Sequence, residues 1–271
     1  MHPPVRLLIP VFSFLFHGVV LGQAISYHRT ITGPNDEYIS AMIPTLDSGF
    51  VLVGTTGSFG PAASDLTKNG YLVKLNAAGD VVWTKVYGVG GDDHLLKVLE
   101  LENGDLLALG RRRAGLSRMT LSRLSGDGEI IWRKEFTSQD RFISAHHLIP
   151  HGQGGYLLVG VHLENGAGLD GDILAVRTDG SGTVIGTALF GNGRQTEPTE
   201  VVATEDGGYL ISAHRFLVPY MEMQLLKIGA DLEYEWDRCI RTEQGQIVGT
   251  TIVTMDDGGY MIGGSVNGRM A

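Results

Sequence analysis

Short apolar runs, each opened by a glycine, recur along this chain at intervals of about fifty residues. With Gly49, Gly104, Gly155, Gly208 and Gly259 as common reference points, the spacings are 55, 51, 53 and 51 residues. Each repeat contains four apolar or alternating stretches of strand length, separated by polar turns that contain glycine. This pattern predicts one small antiparallel sheet for each repeat.

The first repeat shows the four predicted strands most clearly, at residues 38–45, 50–54, 70–75 and 80–87. The second of these strands is apolar throughout, which predicts burial on both faces. The turn that precedes it reads Asp206-Gly207-Gly208 and Asp257-Gly258-Gly259 in later repeats. Such sequences suit a hairpin turn that needs a positive φ.

A four-stranded sheet cannot shield both of its faces from water, so successive sheets must stack around an axis. The sequence therefore predicts an all-β fold, a β-propeller of four-stranded antiparallel blades that is incomplete or about five-bladed. The repeats lie near residues 34–88, 89–137, 138–191, 192–241 and, in part, 242–271. Residues 25–32 look like a fourth strand and are a candidate to close the last blade. Since no third strand is evident in the last repeat, an open ring and a chain cut from a longer protein both remain as explanations.

Tryptophan recurs in the fourth predicted strand, at Trp83, Trp132 and Trp236, each followed two residues later by a basic residue. We predict that each ring packs against the neighbouring blade, with the stem of the cation lying over it. Stacking on a cofactor is the alternative interpretation. The third repeat departs from the pattern, because Gly186 occupies the tryptophan position.

The first 24 residues are predicted to be a signal peptide. The apolar stretch 7–21 has 15 residues, whereas a membrane span needs about 20. Gly22-Gln23-Ala24 then places small residues where a signal peptidase cleaves. We expect cleavage after Ala24, a repeat domain at 25–271 with no membrane span, and a secreted or extracytoplasmic location.

Charge and cysteine content exclude several classes of partner. Without Arg6, the 21 basic residues fall to 20, against 30 acidic residues. This balance argues against nucleic acid and against an anionic membrane surface. Arg111-Arg112-Arg113 is the only basic run, and we expect it in a solvated turn. Cys239 is the only cysteine, so no internal disulfide can form.

Three motifs carry a resemblance to a known family: Asp257-Gly258-Gly259-Tyr260, residues 172–176 and residues 79–88. Together they resemble the repeats of secreted bacterial propeller-like proteins, which are common among exported surface proteins. The resemblance covers nearly all of the chain after residue 24. It implies a propeller in an exported protein, and it implies no particular activity.

Acidic residues recur just before the first strand of several repeats, at Glu37, at Asp92 or Asp93, at Asp140 and at Glu197. In a propeller these connections gather around one mouth of the central channel. The residues either cap turns or form a charged rim that binds a ligand. On the second interpretation, the protein is a non-catalytic secreted or surface-associated binding or scaffold module, with a glycan or a protein as ligand.

A propeller-type enzyme is the alternative function. Gly79 to Trp83 resembles the packing strand of quinone-dependent dehydrogenases, and Ser125 to Trp132 approaches the turn of sialidase-like hydrolases, with its glycine one residue early. Nothing in the sequence indicates a quinone site. Catalysis of the sialidase type would need three convergent arginines and a tyrosine nucleophile.

Metal and cofactor signals are weak, and we expect no cofactor. Asp170-Gly171-Asp172 has the oxygen-rich, glycine-bent character of a Ca²⁺ loop, but the EF-hand spacing is absent and turn formation explains it equally well. His146, His147 and His151 form a local cluster. In a strand, the first two would point to opposite faces and could not share a metal.

Overall fold

The structure is a computed structural model that describes residues 31, 33–61, 67–88, 91–137, 142–163, 171–191, 195–217, 220–241, 246–266 and 269–270. The predicted signal peptide and the candidate closing strand 25–32 lie outside the described residues, apart from Ile31. Asp140 and Asp170 lie outside them as well. Nineteen strands and no helix are present in the described ranges.

The strands form five antiparallel sheets, here called blades 1 to 5 in chain order. Blade 1 consists of β1 (Glu37–Pro44), β2 (Phe50–Thr56), β3 (Asn69–Leu75) and β4 (Val81–Tyr87). Blade 2 consists of β5 (Asp92–Glu100), β6 (Leu106–Ala114), β7 (Leu116–Leu124) and β8 (Ile130–Phe136). Blade 3 consists of β9 (Phe142–Pro150), β10 (Tyr156–Leu163), β11 (Gly171–Thr178) and β12 (Val184–Phe190).

Blade 4 consists of β13 (Thr196–Ala203), β14 (Tyr209–Leu217), β15 (Tyr220–Ile228) and β16 (Tyr234–Ile240). Blade 5 consists of β17 (Ile247–Thr254), β18 (Tyr260–Val266) and β19 (Arg269–Met270). The sequence showed no third strand in the last repeat, but β19 occupies that position through a two-residue pairing with β18. The prediction of an all-β propeller with four-stranded antiparallel blades is confirmed.

The first strand of each blade lies at the hub and the fourth lies at the rim. Consecutive hub strands contact one another, from β1 to β5, β9, β13 and β17. The rim strands instead expose apolar side chains at their beginnings, including Val82, Ile131 and Ile185. A hub strand of blades 2 to 4 therefore packs against both neighbouring blades, whereas a rim strand has one side in solvent.

Every hub strand carries a β-bulge, a single extra residue that has no partner on the second strand. The bulged residues are Ser40, Leu96, His146, Thr199 and Thr250. Beside the bulge, a hub carbonyl approaches the second strand so closely that a Cβ at Gly54 would lie 1.8 Å from Tyr38 O, and one at Gly160 would lie 2.1 Å from Ser144 O. This close approach explains the glycine that ends most of the apolar runs.

Three apolar clusters hold neighbouring blades together. They fill the interfaces between blades 1 and 2, blades 2 and 3, and blades 3 and 4. At the first two interfaces a tryptophan packs on a turn glycine of the next blade, Trp83 on Gly128 and Trp132 on Gly182. Inter-blade packing is thus what these two rings do.

A lysine on the third strand stabilises the first turn in blades 1 and 4. Lys74 Nζ donates to Asp47 Oδ1 at 2.7 Å and to Thr45 Oγ1 at 2.9 Å. Lys227 makes the corresponding ion pair with Asp206 at 2.9 Å. Hydrogen bonds from Thr204 and Lys227 lower the pKa of Asp206 to about 2. The Asp of the recurrent turn motif is therefore structural in these blades.

Candidate functional site

A cavity of about 380 Å³ lies at the end of the hub where the inner strands begin. We call it the mouth cavity. It spans blades 2, 3 and 4 and combines charged, neutral polar and apolar side chains. Its lining comprises Arg111, Arg113, Ser117, Phe142, Ser144, His146, Val161, Leu163, Gln195 and Glu197.

Two arginines of the basic run line the mouth cavity. The run lies within strand β6 and not in the turn that the sequence suggested. Because side chains alternate along a strand, Arg111 and Arg113 share one face and Arg112 takes the other. Arg112 instead binds Glu135, with Nη1 2.8 Å from Oε1. The strand therefore sends two of the three guanidinium groups to the cavity.

His146, the bulged residue of β9, lines the mouth cavity together with Phe142 and Ser144 of the same strand. Burial and the nearby Arg111 lower its pKa, against the opposing effect of Glu197. At neutral pH the ring is therefore neutral, and because it donates a hydrogen bond to the Pro198 carbonyl, its other nitrogen is left as an acceptor. His147 has a different role, since its Nε2 donates to the Thr199 carbonyl at 2.6 Å across the interface with blade 4.

His151 has a third role. Its Nδ1 lies 2.5 Å from the Tyr209 hydroxyl, within the interface between blades 3 and 4. Across the described ranges, no group of three or more His, Cys, Asp or Glu side chains is arranged to hold a metal ion. The histidine cluster of the sequence is thus divided among three separate contacts.

Asp92 and Asp93 lie inside β5, and neither lines the mouth cavity. Asp92 accepts a hydrogen bond from the Lys68 amide at 3.2 Å, and its Oδ2 lies 3.1 Å from His94 Nε2. His94 Nε2 is in turn 3.3 Å from Arg111 Nη2. Asp92 therefore orients the His94 ring, which lies beside Arg111 at the edge of the cavity. Asp93 is buried in the strand.

Burial opposes ionisation of Asp92, but the hydrogen bonds from His94 and Lys68 and the charge of Arg111 together lower its pKa. Burial also lowers the pKa of His94, so this ring is neutral at neutral pH. The row Asp92–His94–Arg111 thus consists of one anion, one neutral ring and one cation. Because His94 Nε2 donates its proton to Asp92, it cannot also accept a hydrogen bond from Arg111, which leaves the guanidinium donors of Arg111 beside the ring available to the cavity.

Glu197 is the predicted site residue that the structure places in the mouth cavity. It lies near the beginning of β13, where Gln195 Nε2 donates to its Oε1 at 3.4 Å. Its carboxylate lies close enough to His146 to affect the pKa of that ring. Glu197 and Asp92 are therefore on the same side of the hub, but they serve different contacts.

Of the proposed Ca²⁺ loop the structure describes Asp172, which lies in strand β11, whereas the nearby Asp179 closes a turn. Asp179 Oδ1 accepts hydrogen bonds from Ser181 N at 2.9 Å and Thr183 N at 2.9 Å, which closes the turn between β11 and β12. Asp172 lies in β11 opposite His162. Asp172 Oδ1 lies against Gly191, where a Cβ would be only 1.6 Å from it.

A larger cavity, of about 620 Å³, lies between blades 2 and 3. Its lining is mostly apolar, with Phe136, Ile143 and Leu174 among its members. The carboxylate of Glu135 at its edge already binds Arg112 and Arg118. The mouth cavity has the larger set of converging polar groups, and it is therefore our candidate site.

Sequence reasoning missed Arg111, Arg113 and His146 as members of the site. The alternation of two arginines within a stretch of strand length was the available signal for the first pair. His146 alternates with Phe142 and Ser144 along β9, but the sequence marked it only as a member of a histidine cluster.

Comparison with known proteins shows similarity of fold. No family model matches the chain, and no curated protein matches it. An endo-arabinase from Bacteroides thetaiotaomicron superposes with a TM-score of 0.52 at 14% identity, over 87% of this chain and 90% of that one. A puromycin hydrolase superposes with a TM-score of 0.44 at 13% identity, over 85% of this chain and 44% of the hydrolase. Such neighbours are propellers, as this chain is.

The described part of the chain contains no helix with the length and apolar character needed to cross a bilayer.

Proposed function

We propose that this protein is a non-catalytic, extracytoplasmic binding module whose mouth cavity holds the acidic terminal sugar of a glycan. The observation that carries the proposal is the convergence of Arg111, Arg113, His146 and Glu197 on one cavity. Binding at one end of the hub leaves the strands free for packing, as is common in repeat folds.

The size and lining of the cavity support a ligand of one or two sugar rings. Small-molecule sites typically have volumes of about 300–1,000 Å³ and a few polar groups that fix orientation. The cavity has about 380 Å³, and Phe142 supplies an aromatic surface beside the polar groups. Glu197 and the neutral His146 can accept hydrogen bonds from sugar hydroxyls, while Ser117 and Ser144 can donate or accept them.

The arginines support a ligand that carries a carboxylate. Among the described residues, neither Arg111 nor Arg113 has a carboxylate oxygen within 4 Å, whereas Arg112 and Arg118 are both paired with Glu135. A planar guanidinium binds a carboxylate through two parallel hydrogen bonds. The nearby Asp92 faces His94 and the Lys68 amide, so the two cations remain available to an anionic group.

A propeller-type hydrolase is the runner-up function. Hydrolysis of a glycoside typically uses a pair of carboxyl groups about 5–9.5 Å apart. Among the described lining residues, Glu197 is the one carboxylate. This count favours binding over hydrolysis, and Asp140 lies outside the described residues.

The test is calorimetric titration of the full chain with galacturonic acid and with galactose, two sugars that differ by one carboxylate. Galacturonic acid should bind and galactose should bind at least about tenfold more weakly, as expected for loss of a charge-assisted contact. Arg113→Gln should remove that preference. Arg118→Gln is the matched control and should retain it, because Arg118 binds Glu135 outside the cavity.

Failure of both sugars to bind would overturn the proposal, as would an Arg113→Gln protein with an unchanged preference. Product analysis of the same mixtures with oligogalacturonate tests the runner-up, since release of shorter fragments would favour the hydrolase. Repeating the titration with and without Ca²⁺ tests the predicted role of Asp170 and Asp172.

A further inference from the structure

Each blade has two different faces, and every interface in the propeller pairs one of each kind. We define the leading face as the side toward the next blade and the trailing face as the side toward the preceding one. Between blades 2 and 3, for example, Leu107 and Leu109 on a leading face pack with Leu148 and Leu158 on a trailing face. The interfaces between blades 1 and 2 and between blades 3 and 4 follow the same plan.

The trailing face of blade 1 is uncovered. Met42 occupies the strand position that Val98, Leu148 and Val201 occupy in blades 2 to 4, as the pairing with the second strand shows. Those three side chains are 3%, 7% and 6% exposed, whereas Met42 is 60% exposed. Ile39, at the position of the buried Leu95, is exposed as well.

The leading face of blade 5 is uncovered in the same way. Met261 occupies the position of Val51, Leu107, Leu157 and Leu210. All four of those residues have 0% exposure, whereas Met261 is 57% exposed. The neighbouring Val253 is exposed too. An apolar side chain is thus retained at a position where burial is otherwise complete.

The two uncovered faces do not cover each other. Extensive contacts join blade 1 to blade 2 and continue as far as blade 5, but no contact of that extent joins blade 1 to blade 5 within the described ranges. One uncovered face is of the trailing kind and the other is of the leading kind. They are therefore the two kinds of face that pack together at every internal interface.

We propose that a second copy of this chain covers both faces. The trailing face of blade 1 in one copy packs on the leading face of blade 5 in its partner, and the partner returns the same contact. Each contact continues the blade-to-blade packing already present inside the propeller. An arrangement with two identical contacts is closed by a two-fold axis and avoids the open filament that one-sided contacts of unlike faces produce.

The test is the mass of the full chain by light scattering after size exclusion, at concentrations up to about 100 µM, where micromolar association is nearly complete. Wild type should have twice the chain mass. Met42→Glu and Met261→Glu should each have the mass of one chain, because each substitution places a charge in both contacts of the dimer. Val82→Glu, at an exposed rim position, is the matched control and should remain dimeric.

Mixing the two monomeric variants distinguishes the proposed contact from other modes of dimerisation. In the mixed pair, one contact carries both glutamates and the other carries none. An equimolar mixture should therefore regain part of the dimer. Pairing of like faces predicts instead that only one of the two substitutions has any effect.

A monomeric wild type over the whole concentration range overturns the proposal. Continuous growth of mass with concentration overturns the closed arrangement, and so does a mixture that stays monomeric. Circular dichroism and the melting temperature of each variant show whether it is folded. Met42→Ser and Met261→Ser replace any glutamate variant that is not, because they remove the apolar contact without adding charge.

Discussion

Between blades 2 and 3 a tryptophan packs on a glycine turn, whereas between blades 3 and 4 a glycine faces a leucine turn. Trp132 lies so close to Gly182 that a Cβ there would be 2.7 Å from its Cη2 atom. At the next interface, Gly186 replaces the tryptophan and Leu232 replaces the turn glycine, with Leu232 Cδ1 3.8 Å from where a Cβ on Gly186 would lie. The preceding blade supplies the large side chain at the first of these interfaces, and the following blade supplies it at the second.

The presence of Leu232 at the turn position strains the backbone there. The turn requires a positive φ, which Gly182 adopts at 77° and Leu232 adopts at 65°. A non-glycine residue in this region is strained by about 1 kcal/mol or more. The leucine is kept there although glycine would relieve the strain, because Leu232 is buried in the cluster between blades 3 and 4.

The largest effect should come from placing the leucine of one interface into the other. Gly182→Leu adds a side chain where the Trp132 ring lies and forces a non-glycine residue to a positive φ. We expect a loss of roughly 4 kcal/mol in the free energy of unfolding, from overpacking and backbone strain together. Urea denaturation measures it.

Gly180→Leu in the same turn is the control, because a Cβ at Gly180 has no atom within 4 Å. It should lose less than about 1 kcal/mol, as most exposed substitutions do. If the two variants unfold at the same urea concentration, the close contact between Trp132 and Gly182 does not determine the packing of this interface.

A smaller loss should follow from emptying the other interface. Leu232→Gly removes a buried side chain and relieves the strained φ, so we expect a net loss of about 2 kcal/mol. Adding Gly186→Trp to this variant recreates the arrangement of blades 2 and 3. The double variant should regain about 1 kcal/mol by urea denaturation, a coupling of the size seen between residues in contact.

The decisive comparison is Gly186→Trp alone, in which the ring meets Leu232. This single variant should be less stable than wild type, although the same substitution stabilises the Leu232→Gly protein. If the changes in unfolding free energy caused by Gly186→Trp and Leu232→Gly are additive, the two side chains do not compete for the same space.

The smallest effect concerns pH, and it involves a histidine in the interface between blades 3 and 4. Burial lowers the pKa of His147 from 6.5 to about 4, and the hydrogen bond to the Thr199 carbonyl opposes this effect only in part. Between pH 6.5 and about 4 the unfolded chain therefore binds the proton more readily than the folded chain. Stability should fall by about 1–2 kcal/mol as the pH decreases through this window.

His147→Gln should flatten that part of the stability profile, as measured by urea denaturation at several pH values. His214→Gln is the matched control, because His214 Nε2 makes a similar hydrogen bond to the Gly249 carbonyl at 2.9 Å in the next interface. A His147→Gln protein with the same slope as wild type would show that other groups control stability in this range.

Much of the architecture was predictable from the repeat. Glycine spacing and strand-length apolar runs predicted the four-stranded blades, and the position of Trp83 and Trp132 predicted that they pack between blades. The sequence also marked Gly186 as an exception. It did not identify Leu232 as the compensating residue, because the two positions are 46 residues apart and only their spatial contact links them.

The candidate site was less predictable, since it depends on which way each side chain points. Glu197 was predicted and lines the mouth cavity, whereas Asp92 turns to His94 and Asp93 is buried. These acidic residues do not occupy equivalent positions, because Glu197 and His94 both lie two residues before the bulge of their strand, whereas Asp92 and Asp93 lie further from it. Arg111 and Arg113 belong to the site through strand alternation in a segment that was expected to be a turn.

The extra residue in each inner strand also limits how this protein can change. Removing Thr199 would make β13 regular, and every residue before it in that strand would turn to the opposite face. Glu197 would leave the cavity and enter the apolar packing between blades. A one-residue deletion in a hub strand is therefore far more disruptive than a one-residue deletion in a rim turn. A blade that is transferred between such proteins must keep its β-bulge if its polar side chains are to stay in the cavity.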